Sequence, residues 1–147
     1  MSTTATPGSK PLTILLVEDD DGDAKALQRA LQKSKIANTI LRAVDGIEAL
    51  DMLKGANGKA KMASPCILLI DLNMPRMNGI QLMQALRADE ELHQSIAFIL
   101  TTSKRDEDKV AAYNLNVAGY IVKATAGEDF LNLVNLVDCY WRIVEMP

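Results

Sequence analysis

The sequence is poor in the side chains that most often hold metals, form disulfides or carry acid–base catalysis. It has one histidine, His93, and two cysteines, Cys66 and Cys139. Zinc sites need several Cys or His residues at short fixed spacings, and no CxxC or Cys/His pair occurs. The two cysteines stand far apart among apolar neighbours, so they read as buried free thiols rather than a disulfide or metal pair. His93 lies in the polar stretch ADEELHQS and reads as a solvated loop residue, neither ligand nor base. Positive charge is not in surplus either: sixteen basic residues face nineteen acidic ones, for a formal net charge of −3. Non-specific nucleic-acid binding needs a basic patch, so no DNA partner is expected. No apolar run approaches the ~20 residues that cross a bilayer, so no membrane association is expected. The first eleven residues, MSTTATPGSKP, lack the apolar core of a secretory signal and read as a flexible tail. The cytoplasm is the expected compartment. Neither GxxxxGK[ST] nor GxGxxG is present, which removes two phosphate-binding loops. The run DDDGD fails as a calcium loop, because Gly22 in sixth place would make Val17 the first ligand.

What is present is a chain of 147 residues, suited to one domain with a sizeable core. Apolar runs alternate with helix-like segments. LTILLV (12–17), NTILRAV (38–44), CILLID (66–71), IAFILTT (96–102) and GYIV (119–122) read as strands. The first, third and fourth are nearly continuous in apolar residues, as strands covered on both faces must be. Between them, residues 23–34 set Ala24, Leu27 and Leu31 at helical spacing. Residues 46–54 set Ile47, Leu50 and Leu53 on one helical face, and 79–88 set Leu82, Met83 and Leu86 inward. A polar helix is expected over 105–115 and a last one over 128–144. Five strands, each followed by a helix, predict an α/β, doubly wound, five-stranded parallel sheet with five helices. The flavodoxin-like strand order 2-1-3-4-5 leads among the right-handed topologies. The expected organisation is a tail over 1–11 and one domain over 12–147.

Function in such sheets gathers at the carboxyl ends of the strands. There the first strand delivers Glu18 and Asp19, the third Asp71, the fourth Thr101 and Thr102, and the fifth Lys123. With the order 2-1-3-4-5, the strands carrying these residues are neighbours. Two carboxylates ~5 Å apart repel by roughly 3 kcal/mol at an effective dielectric near 20. A hard divalent cation with oxygen ligands relieves that, and Mg²⁺ takes one or two carboxylates with waters and phosphate oxygens. Lys123 adds a fixed positive charge. The chemistry implied is a carboxylate that accepts a phosphoryl group, with metal and lysine neutralising the oxygens in transfer. Each feature alone has a plainer reading: acids favour a helix N-terminus, a strand-end lysine is usually solvated, and a strand-end threonine commonly caps the next helix. The joint placement carries the inference.

Residues 12 to about 144 closely resemble the receiver domain of bacterial two-component response regulators. The matching motifs are LLVEDD, LLIDLNMPRMNG, ILTT and GYIVK. The resemblance implies that Asp71 accepts phosphate and that Mg²⁺ is held by Asp19, Asp71, the backbone carbonyl of Asn73 and Glu18, the last often through water. It implies that Lys123 pairs with the acyl phosphate, that Thr101 moves toward it, and that Tyr120 changes rotamer with Thr101. Asn73 and Ser103 occupy positions that tune water attack in that family. It also implies a sensor histidine kinase as partner. Asp20 and Asp21 are read as the solvated start of the first helix. Two departures stand out: Ala124 follows Lys123 where the family usually has proline, and the loop over 55–65 is longer than usual. With SKRDED and DCYWRIVEMP, these features resemble single-domain regulators that serve phytochrome-type and related sensor kinases.

In the last expected helix, Phe130, Leu133, Val134, Val137, Trp141 and Val144 form an apolar stripe, which Leu136, Tyr140 and Ile143 widen to about half the circumference. That is either an unusually buried helix or a homodimer or partner surface. Pro147 follows it directly, so the expectation is a signal that leaves by protein contact or onward phosphoryl transfer. Two other readings fit the sequence less well. A haloacid dehalogenase-type hydrolase would have an acid two residues after the nucleophile, where Asn73 stands. A degenerate receiver acting as a phosphorylation-independent interaction module would not need Glu18, Asp19, Asp71, Thr101 and Lys123 all intact.

Overall fold

Successive side chains on a strand point to opposite faces, so a strand that is apolar throughout needs cover on both sides. The computed structural model, which describes residues 13–34, 39–62, 66–102 and 104–123, arranges the chain in that way. Its elements are β1 (Thr13–Val17), α1 (Asp21–Ser34), β2 (Thr39–Ala43), α2 (Gly46–Lys54), β3 (Cys66–Asp71), α3 (Gly79–Ala88), β4 (Ile96–Thr101), α4 (Lys104–Ala111) and β5 (Gly119–Val122). The strands form one parallel sheet in the order β2-β1-β3-β4-β5, the flavodoxin-like order expected. Four of the five expected helices fall within the described residues. The tail, Ser103, Ala124, Cys139 and the last expected helix with Leu136, Tyr140 and Ile143 lie outside them.

The alternation divides the core in two. Leu15, Val17, Leu68, Ile70, Ala97 and Ile99 face Leu53 of α2, Leu82, Met83 and Leu86 of α3, and Val110 of α4. Ile14, Leu16, Ile67, Leu69, Phe98, Leu100 and Ile121 face Ala24, Leu27 and Leu31 of α1. A strand residue's parity therefore tells which helices its side chain meets, and this rule places the acids described below.

Some boundaries and faces differ from expectation. Helix α1 starts two residues earlier, at Asp21, because Asp20 accepts a hydrogen bond from the Asp23 N–H at 2.8 Å and stands where an N-cap stands. Asp20 is thus a cap rather than a merely solvated acid. Helix α4 ends at Ala111, and the chain turns through Asn114 and Asn116, both at φ 53°. In α2 the buried residues are Gly46, Ala49 and Leu53, while Ile47 is exposed. The small Ala49 takes the core position that the spacing rule assigned to larger side chains. The loop after α2 is fastened by ion pairs from Lys59 to Glu48 (3.0 Å) and from Lys61 to Glu91 (3.3 Å). Cys66 is a free, partly buried thiol whose pKa burial pushes up to about 11, and His93 is exposed.

Candidate functional site

The carboxyl edge is built from strand parity. The Glu18 N–H donates to the Ala43 carbonyl at 3.0 Å and extends the β1–β2 ladder by one residue. Glu18 thereby shares the α1 face with Ile14 and Leu16, and it is completely buried. Asp71, the last residue of β3, falls on the same face as Ile67 and Leu69 and is 4% exposed. Lys123 follows β5 with the parity of Ile121. All three side chains therefore reach the same side of the sheet end. Lys123 Nζ lies 2.8 Å from Glu18 Oε1 and 3.0 Å from Asp71 Oδ1. Asp19 is exposed, yet one carboxylate oxygen from each of Glu18, Asp19 and Asp71 lies within 4.8 Å of the others.

The energetics follow from burial and like charge. Burial, with the Asp71 charge adding to it, pushes Glu18 up to about 7 against the opposing pull of Lys123. Burial also raises Asp71, again opposed by Lys123. Burial alone would lower Lys123, but its close contacts with Glu18, Asp23 and Asp71 hold it above its ordinary range. Three carboxylates against one ammonium leave an excess of negative charge in a partly dry pocket. Hard oxygen donors crowded in this way suit a small divalent cation.

Thr101 ends β4 with the parity of Ala97 and Ile99, so it leans toward the α2–α4 side. Asp71 is in register with Leu100, which sets Thr101 one residue farther along the neighbouring strand. Its side chain is 1% exposed, and Oγ1 has no hydrogen-bond partner among the described residues. A buried hydroxyl left unpaired costs about 1–3 kcal/mol. Thr102 differs: its hydroxyl donates to Asp106 Oδ2 at 2.8 Å, at the start of α4. Tyr120 shares Thr101's face and packs, half-buried, against that core. Burial, and then the charges of Glu107 and Asp108, raise its pKa. Asn73 is exposed in the loop after β3.

Three features escaped sequence reading. Asp23 lies 3.0 Å from Lys123 Nζ, and that contact is aligned as a hydrogen bond. Arg42 donates through Nε to the Glu18 carbonyl (2.9 Å) and through Nη1 to Asp21 (2.7 Å), so Asp21 is paired rather than merely solvated. Asp45, 4% exposed, caps α2 through the Glu48 N–H and accepts from Arg76 Nε at 2.7 Å. Arg42 and Arg76 reach across the fold from other elements, which no local spacing shows. Asp23 carried the one available signal, its place in the first helical turn beside the acid run.

A five-stranded doubly wound sheet, with buried acids and an ammonium group meeting at its carboxyl edge, defines a flavodoxin-like α/β domain with an acidic strand-end site. The response regulator receiver domain family model matches residues 14–135, and the chain belongs to that family. Among relatives, it is 29% identical over 138 residues to response regulator Rcp1 of Synechocystis sp., covering 93% of this chain and 94% of that protein. Among solved structures, it is similar to the bacteriophytochrome response regulator RtBRR, at TM-score 0.77 and 32% identity, covering 88% of this chain and 78% of that one. It is likewise similar to the Mn²⁺-bound form of Rcp1, at TM-score 0.69 and 28% identity, covering 89% and 94%. No helix among the described residues is long and apolar enough to cross a membrane.

Proposed function

We propose that the protein is a cytoplasmic, single-domain response regulator over 12–147, which accepts a phosphoryl group from a sensor histidine kinase onto Asp71. The observation that carries this reading is the convergence of Glu18, Asp19 and Asp71 with Lys123 between the first and last of these, beside Thr101, whose hydroxyl has no partner among the described residues. An Asp71 oxygen attacks the phosphorus of a phosphohistidine. The new P–O bond forms as the P–N bond breaks, and the imidazole leaves and takes up a proton. Lys123 pairs with the transferring oxygens, and the Thr101 hydroxyl donates a hydrogen bond to them. Tyr120, on the same face as Thr101, follows that movement and carries the change to the α4 surface.

Glu18, Asp19, Asp71 and the backbone carbonyl of Asn73 would hold Mg²⁺. When bound, the ion neutralises the phosphoryl oxygens and the crowded carboxylates. The Mn²⁺-bound form of Rcp1 supports a divalent ion here. Likeness to Rcp1 across nearly its whole length and to a bacteriophytochrome response regulator supports a phytochrome-type kinase as donor and a signal passed by protein contact or phosphorelay. A homodimer through Leu136, Tyr140 and Ile143 belongs to the same reading, and light scattering after size-exclusion chromatography tests it. The phosphoacceptor is tested by incubation with acetyl phosphate and Mg²⁺, followed by intact-mass measurement. The expected result is gain of one phosphoryl group, abolished by chelation and in Asp71→Asn. Phosphoryl gain by Asp71→Asn would overturn the assignment.

A further inference from the structure

Among the described residues, Lys123 has three carboxylate neighbours, and they are not equivalent. Glu18 and Asp71 belong to the group that could hold a divalent cation, and Asp23 does not. Glu18 Oε1 takes no directed hydrogen bond, so its 2.8 Å approach to Nζ is an ion-pair contact. The Asp23 contact is a directed bond at 3.0 Å. Asp23 is half exposed and sits in the first turn of α1, where its own N–H is anchored by Asp20 Oδ2 at 2.8 Å. Its backbone is thus fixed at the helix start, and its carboxylate reaches the ammonium from the more exposed side.

We propose that Asp23 is a positioning residue that holds the Lys123 ammonium over Asp71 when the other two carboxylates are engaged by a divalent cation. The inference rests on the reading of Asp71 and Lys123 given above. A cation shared by Glu18 and Asp71 cancels most of their attraction for Lys123. A lysine stem has large rotational freedom, and an ammonium released from those acids would wander into water. Asp23 keeps its charge and its mounting in that state. Lys123 therefore meets an incoming phosphoryl group already in place, which is the orientation effect that small misplacements destroy.

The test compares the full-length protein with Asp23→Asn, Asp23→Ser and Asp23→Glu. At saturating Mg²⁺, phosphorylation by acetyl phosphate is expected to be about tenfold slower in Asp23→Asn and Asp23→Ser, with Asp23→Glu restoring much of the rate. Calorimetric Mg²⁺ affinity should change by less than about threefold, because the residue is outside the cation group. The direct readout is the Lys123 side-chain NMR signal, assigned by its loss in Lys123→Arg. In the Mg²⁺-loaded, unphosphorylated protein it should shift in Asp23→Asn and Asp23→Ser and return in Asp23→Glu. Thermal melts confirm that the variants fold. Wild-type rates in Asp23→Asn and Asp23→Ser with an unmoved Lys123 signal overturn the proposal, and so does a slower rate with an unmoved signal. If the wild-type protein takes no phosphoryl group, the reading of Asp71 falls, while the NMR shift still decides whether Asp23 positions Lys123.

Discussion

Asp45 is a charged side chain in the interior, and two partners explain how it stays there. Its carboxylate accepts the Glu48 N–H at 2.9 Å and Arg76 Nε at 2.7 Å. Arg76 is held at φ 63°, a left-handed conformation that costs a branched-free side chain roughly 1–2 kcal/mol. That strained residue links the loop after Asp71 to the start of α2, as does the Gly46 N–H donating to the Met77 carbonyl at 3.3 Å. Arg76, and then the capped helix against burial, holds Asp45 below its ordinary value of 3.8. The folded pKa is depressed, so this stabilisation is present above pH 3.8 and is lost as pH falls through the lower folded value. Asp45→Ala should therefore lose about 1–2 kcal/mol at neutral pH. In urea titrations its deficit against the wild type should shrink in acid; a deficit constant to pH 3 would show that the charge is not what matters.

Helix α3 fixes both ends of the sheet's centre, and its two fastenings were not equally legible. At its start, Gly79 donates to the Leu72 carbonyl at 3.0 Å, and a methyl group there would lie 2.6 Å from the Asp71 carbonyl oxygen. The glycine was visible as part of DLNMPRMNG, but the close approach that demands it exists only once α3 is docked on β3. Gly79→Ala should push the helix from the strand end, cost about 1–3 kcal/mol by overpacking and, on the proposed role of Asp71, slow its phosphorylation. At the other end, Arg87 donates to the carbonyls of Leu115, His93, Ser95 and Asn116. It joins the entries of β4 and β5, far from the acids. Arg87→Met should lower stability by about 2–4 kcal/mol while leaving Mg²⁺ affinity unchanged, as melting and calorimetry would show. Patterns of this kind explain what could be read from sequence. Cys66–Asp71, Gly79–Ala88 and Gly119–Val122 matched their expected bounds because apolar runs and helical stripes are local signals. Ile47 and Ala49 exchanged places because spacing selects a face but not the side of that face lying closest to the sheet. Asp23, Arg42 and Arg87 act between elements, and register or docking decides their partners.

At the scale of the whole molecule, the sheet separates stability from function. The two apolar cores and the Arg87 clamp hold the middle and the amino edge, while the carboxyl edge concentrates unfavourable charge. Burial raises both Glu18 and Asp71, which means the metal-free fold works against its own acids. Two consequences follow if the acids are kept for phosphoryl transfer rather than for stability. Asp71→Asn removes one of the opposed carboxylates and lets Glu18 keep Lys123, so the metal-free variant should be more stable by about 1 kcal/mol, a rise in Tm of roughly 2–4 °C. Mg²⁺ should stabilise the wild-type protein by about 2.7 kcal/mol at a hundred times its Kd, because the unfolded chain does not bring the three carboxylates together. Asp71→Asn, with fewer charges to offer, should gain much less. Melting curves of both proteins, with Mg²⁺ and with a chelator, measure these effects in one experiment. A wild-type protein whose Tm ignores Mg²⁺, together with a variant less stable than the wild type in chelator, would mean that the three acids are there to hold the fold and that their charge is already balanced without a cation.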